Sequence, residues 1–289
     1  MKNLPSEQDE SITASILGRV GTAMNYYLSD SRVVTGGSVR SRLEDLLIDR
    51  MRTAPTLGQK ITFYRAFLNT ASSENARKVL KDMLKGGNPS GSEGAPESRS
   101  GAEKGTLSTG RVSALAVTAI PLKTKDRFDI VTRLLILNDP DAPKLLADLE
   151  KTETSDDAKR YAYAAKAGIP TAENKSKYWN DFTNNKEISE SWIEAAFGPW
   201  NSIRHSELTL PYLQKALQEL PNHKRNRKIF FVNGWLGAFI GGQRSEEALA
   251  IVNKFLSDNP NLDNDLRLKV LENVDLIEGA VRIRSKYKS

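Results

Sequence analysis

Two histidines, His205 and His223, and no cysteine set narrow bounds on the chemistry available to this chain. A zinc site built without thiolates draws on two or three imidazoles held close together, commonly through H-E-x-x-H on one helix face, and neither histidine stands in that pattern. Both read as loop or surface histidines. A serine nucleophile needs a base positioned beside it, and no serine is paired with either histidine. The acidic pairs Glu44-Asp45, Asp156-Asp157 and Glu246-Glu247 have the composition of acid–base dyads, yet each falls in a first turn or on a polar helix face, where capping and solvation account for it. Gly234, Gly237, Gly241 and Gly242 lack the spacing of a phosphate loop; they are expected to allow close helix packing and then a stop. Lys224-Arg225-Asn226-Arg227-Lys228 is the sharpest positive run. No aromatic residues are interleaved with it to stack on bases, so it reads as a solvated corner. No residue is therefore assigned a catalytic, cofactor-binding or metal-binding role.

The elements that would hold such residues are helical. The 289 residues are 39% hydrophobic, enough for one large core or two small ones. Lys and Arg number 42 against 36 Asp and Glu, a net charge of +6. So near a balance argues against a dedicated nucleic-acid binder, which concentrates positive charge in a patch or stripe. No apolar run is long enough to span a membrane, and the N-terminus lacks the basic-then-apolar layout of a signal peptide, so a soluble protein is expected, cytoplasmic or exported with a parent protein.

Apolar residues recur at helical spacing along most of the chain. Ile12, Ile16, Val20, Met24 and Tyr27 mark one face; Val39, Leu43, Leu46 and Leu47 mark a second, with Ser38 as its cap. Ser73, Ser155, Thr171, Ser245 and Asp263 each stand where a helix should start. Gly168, expected to turn left-handed, and Pro170 make a corner, and Gly198-Pro199 ends another helix. Residues 229–240 are apolar almost all round, which predicts a central helix. Trp179, Trp192, Trp235 and Phe239 are expected in the core. Residues 88–105 are rich in Gly, Ser, Pro and Glu and carry no large apolar side chain, so 88–120 reads as a flexible insertion between helices over 1–87 and over 121–289, all within one overall domain. The expected fold is all-α, a superhelical array of stacked antiparallel helix pairs in the manner of HEAT and armadillo repeats, with no sharp sequence period.

Several segments carry a resemblance. Leu84-Lys-Gly86-Gly87 is followed, past the insertion, by Asp126-Arg127-Phe128. Then come Tyr161-x-Tyr163-Ala-Ala-Lys-Ala, the corner Pro170-Thr171-x-Glu173-x-Lys175-x-x-x-Trp179, Ala196-Phe197, Glu207-Leu208, and Leu210-Pro211-Tyr212-Leu213 as a helix start. In this order they resemble the C-terminal helical domain of the zinc aminopeptidase N family, best between residues 158 and 255. The resemblance implies a bowl of HEAT-like helices that closes over a separate catalytic domain and walls the peptide cavity. On that reading the chain alone is not an enzyme and holds no cofactor. Zinc would belong to the parent's catalytic domain, which would be the partner, with peptide substrate met only indirectly. Gly21-Thr22-Ala23-Met24-Asn25 superficially matches the family's exopeptidase loop but lacks its glutamate, and reads as core. The competing expectations are a free-standing helical-repeat scaffold for another protein and a basic nucleic-acid binder.

Overall fold

The computed structural model describes Leu4, Glu7 and residues 9–28, 39–86 and 120–287. Ser38 and residues 88–119 lie outside these, and with them the expected cap and most of the expected flexible insertion; Ile120 is described and buried. All regular structure among the described residues is helical. The first helices are α1 (Glu10–Thr22), a π-helical turn (Ala23–Tyr27), α2 (Val39–Thr53), α3 (Leu57–Thr70) and α4 (Glu74–Gly86). After them come α5 (Thr124–Ile136), α6 (Ala142–Thr152), α7 (Asp156–Ala167), α8 (Ala172–Thr183) and α9 (Glu190–Trp200). The rest is a 3-10 turn (Ile203–His205), α10 (Ser206–Gln218), α11 (Leu220–Asn226), α12 (Ile229–Gly241), α13 (Glu246–Asp258) and α14 (Asn264–Lys286).

The helix starts follow local side-chain chemistry. Ser73, Ser155, Thr171 and Ser245 each accept a hydrogen bond from the N–H three residues on, at 3.1–3.2 Å. Asp263 accepts from Asp265 and Leu266 N–H, and Asp126 accepts from the Lys123 N–H at 2.9 Å. These bonds satisfy donors that a helix leaves open at its first turn. The Asp139–Pro143 corner is held by Asn138, the one non-glycine with positive φ among the described residues, and by buried Asp139, which takes Arg77 at 3.6 Å and Lys81 at 3.4 Å from α4.

Neighbouring helices pack in chain order. α1 and α2 lie on α3; α3 and α4 lie on α5; α5 lies on α6 and α7. α7 leads through α8 and α9 to α12, which packs on α10, α11 and α14. α14 then meets the π-helical turn, so the array returns to its own beginning. Two bonds mark the closure: the Tyr26 hydroxyl donates to the Gly241 carbonyl, and the Arg244 guanidinium donates to the Asn25 carbonyl at 2.7 Å. The buried core divides within α7. One cluster joins Phe63 and Phe67 to Phe128 and Leu134 across residues 88–120, and the other centres on Phe182, Trp200, Phe231, Trp235 and Phe239.

Several expectations need correction. On α1 it is Thr13, Leu17 and Met24 that are buried, while Ile12 and Ile16 face outward at 49% and 36% exposure, because α3 packs on the neighbouring face. Gly168 is not left-handed (φ −72°, ψ −12°); space requires it, since a Cβ there would lie 2.9 Å from Ile136 Cγ1. α9 runs through Pro199 to Trp200, and α10 starts at Ser206, ahead of Pro211. α12 is not enclosed on every side: Phe231, Trp235 and Phe239 are buried, but Ile229 and Phe230 are exposed at its start and Gly234 and Gly237 face outward. Trp179 and Trp192 are only half-buried, whereas Trp200, which periodicity did not single out, is fully buried.

Candidate functional site

A cavity of about 770 Å³ lies among α1, α2, α3, α5 and α9. α1 and the π-helical turn contribute small and polar groups to it, among them Gly18, Gly21, Thr22 and Asn25. No atom stands within 4 Å of a Cβ added at Gly18 or Gly21, so these glycines border open space rather than a packed neighbour. Residues 21–25, expected as core, therefore divide: Met24 is buried, while Gly21, Thr22 and Asn25 line the cavity. α3 and α5 supply Arg65, Asn69, Asp129 and Arg133, and α9 supplies Gly198 and Pro199.

A second cavity of about 390 Å³ shares Asn25, Asn69, Arg133 and Ser202 with the first. Four arginines line it: Arg40 from α2, Arg133 from α5, Arg204 from the 3-10 turn and Arg244 between α12 and α13. Three of them donate to backbone carbonyls. Arg40 Nη1 donates to Thr70 O at 3.0 Å, Arg133 Nε to Ala71 O at 2.8 Å, and Arg244 Nη1 to Asn25 O at 2.7 Å. Burial, then the nearby Arg204 and Arg40, push the half-buried Arg133 guanidinium down to about 9, with Glu44 opposing them. It keeps its charge at neutral pH.

The residues weighed from the sequence fall in separate places. His205 borders the arginine pocket, with Nε2 2.8 Å from the Ile136 carbonyl and Nδ1 3.6 Å from Glu207. His223 is not at the surface. It is buried with its ring 4.4 Å from that of Trp235 and 5.1 Å from that of Phe231, and its Nε2 has no hydrogen-bond partner among the described residues. Burial, the largest influence, lowers its pKa to about 4, so it is neutral at pH 7. Among the acidic pairs, Asp156, Asp157, Glu246 and Glu247 are exposed as expected. Glu44 is buried instead: its carboxylate accepts from the Ser72 N–H at 2.8 Å, the Ser72 hydroxyl at 3.1 Å and the Ser73 N–H at 3.3 Å, at the entry to α4.

The 224–228 run forms the end of α11 and the turn after it. Lys224 pairs with Asp263 and Asp265, and Arg227 lies 3.9 Å from Glu190 and over the Phe231 ring. Of the four glycines around α12, only Gly242 is held by a close approach: a Cβ there would sit 2.6 Å from Asn201 O and 2.8 Å from Ala238 O. At Gly234, Gly237 and Gly241 an added Cβ would meet its nearest neighbour no closer than 3.5 Å. Among the described residues no group of three or more His, Cys, Asp or Glu side chains is arranged to hold a metal ion. No described helix is long and apolar enough to cross a membrane.

The arginine pocket is what sequence reasoning missed. Its members stand at 40, 133, 204 and 244, so no local motif joins them, and only the closure of the array brings them to one place. No protein-family model matches the chain, and no curated protein matches it.

Proposed function

We propose that this chain is a non-catalytic helical wall that covers a separate zinc aminopeptidase domain and shapes the space its peptide substrates occupy. The observation that carries the reading is the array's return on its own beginning together with a cavity of about 770 Å³ whose lining mixes apolar side chains such as Leu17, Val20 and Leu47 with glycines and polar groups such as Asn25 and Asn69. Such a surface leaves room for an extended chain without gripping a particular side chain. The reading also rests on the segments whose sequence resembles the aminopeptidase N family; in this structure several of them have packing roles. Asp126 caps α5, Arg127 pairs with Glu153, Phe128 is buried, and Thr171 and Lys175 build the α7–α8 corner. The outward-facing Ile12 and Ile16 of α1, together with exposed Leu57 at the start of α3, give a second domain apolar surface to cover.

The test is co-expression with the zinc aminopeptidase domain encoded in the same reading frame or locus. The two should co-purify at one to one. Ile16→Asp should weaken the complex while leaving the chain's own stability within about 0.5 kcal/mol, as substitutions at exposed sites do. Failure to associate, or association unaffected by Ile16→Asp and by Ile12→Asp alike, counts against the reading.

A further inference from the structure

We propose that the outward face of α14 is a docking surface for a basic amphipathic helix of a partner protein. The inference stands on this face and does not depend on the aminopeptidase reading. From Leu268 to Glu278 every exposed residue of α14 is either a leucine or a carboxylate: Leu268, Leu271, Glu272, Asp275 and Glu278. At helical periodicity these fall on the side away from Leu266, Val270, Val274 and Ile277, which the helix buries. The strip runs about 15 Å along the axis, enough to meet about three turns of another helix.

Both halves of the face are unused within the described molecule. Leu268 and Leu271 are 58% and 45% exposed and belong to neither buried cluster. Glu272, Asp275 and Glu278 make no ion pair and no side-chain hydrogen bond among the described residues. Lys269, the one cation within the stretch, lies 3.4 Å from Asp265 instead. The three carboxylates follow one another at steps of three residues, a spacing at which like charges on a helix are neighbours and repel. Among the described residues they form no group arranged to hold a metal ion.

A helix with an apolar edge and Lys or Arg beside it answers both halves at once. Its apolar side chains cover the two leucines, and its cations relieve the repulsion along the strip. The chain as a whole carries a net charge of +6, so this acidic strip stands out against its background and fixes where a basic partner seats.

The experiment is fluorescence anisotropy of a labelled peptide of about 18 residues, built of Leu and Lys with the leucines on one helical face, titrated with the whole chain. A second peptide has the same composition with the leucines scattered round the helix. The amphipathic peptide should bind saturably at one to one, about tenfold or more tighter than the scattered one. Asp275→Lys should weaken binding by about tenfold or more, and Leu268→Ser by about threefold or more. Both positions are exposed, so far-UV helicity of the chain should not change. Glu187→Lys, the same charge change in the exposed turn between α8 and α9, should leave binding within about twofold. The proposal is overturned if the two peptides bind equally, if Glu187→Lys weakens binding as much as Asp275→Lys, or if neither Asp275→Lys nor Leu268→Ser weakens it.

Discussion

Lys175 lies buried with its ammonium on the last carbonyls of two helices, 3.0 Å from Ala167 O of α7 and 2.8 Å from Trp200 O of α9. Both are C-terminal ends, where the helix dipole favours a cation, and the Trp200 indole returns a bond to the Lys175 carbonyl at 3.2 Å. Burial pulls the ammonium down to about 8, which still leaves it mostly protonated at neutral pH. Replacing it with Met strands the Trp200 carbonyl and leaves the Ala167 carbonyl only the 3.4 Å bond from Asn174 Nδ2. Lys175→Met should therefore cost about 1–3 kcal/mol in urea unfolding, the cost of one buried unsatisfied group, and a loss under about 0.5 kcal/mol would contradict this role. His223 makes a pH-dependent prediction. Its folded pKa of about 4 lies below the unfolded 6.5, so between these values the unfolded chain binds a proton that the folded chain does not. Stability should fall as pH drops from 6.5 towards 4, by up to about 3 kcal/mol from this group at 1.36 kcal/mol per pH unit. His223→Phe should flatten that part of the curve, and an unchanged slope would show that the imidazole is not the cause. The sequence placed Lys175 in a corner motif and His223 beside a basic run. Neither spacing could reveal burial, which is decided by helices joined elsewhere in the chain.

At the scale of single elements, what could be read from the sequence is what is local. Ser73, Ser155, Thr171, Ser245 and Asp263 cap the helices they precede, because a cap involves only residues two or three apart. Which face of a helix is buried depends on its neighbour, and α1 shows the difference: its isoleucines mark a helical period, but α3 covers Thr13 and Leu17. The glycines of α12 separate in the same way. Gly242→Ala should cost about 2 kcal/mol or more, since the added methyl meets two carbonyl oxygens that belong to backbone and cannot swing aside. Gly234→Ala should be neutral, or stabilise by up to about 1 kcal/mol. Its Cβ meets Phe197 at an ordinary 3.5 Å, and alanine is the better helix former. Thermal melts of the two variants check this pair, and equal effects would remove the distinction.

For the molecule as a whole, the all-α array of packed helices follows from periodicity and punctuation, while its closure does not. The contact of the π-helical turn with α14, and the bonds from Tyr26 and Arg244, join residues more than two hundred positions apart. That closure brings Arg244 beside Asn25 in the arginine pocket, and the larger cavity joins α1 to α5 and α9, so neither was legible in the sequence. The division of the core inside α7, rather than at residues 88–120, has the same origin: helices on both sides of that stretch share one buried cluster. On the proposed function, this closed wall governs access to another domain's chemistry and performs none itself. The most direct measurement is the hydrolysis of peptides of increasing length by the partner catalytic domain, alone and with this chain added. The chain alone should show no aminopeptidase activity. Its addition should change how rate depends on peptide length while leaving a single-residue chromogenic substrate within about twofold, a barrier change of about 0.4 kcal/mol. An unchanged length profile, or chelator-sensitive activity that tracks stoichiometric zinc in the chain by itself, would contradict the claim.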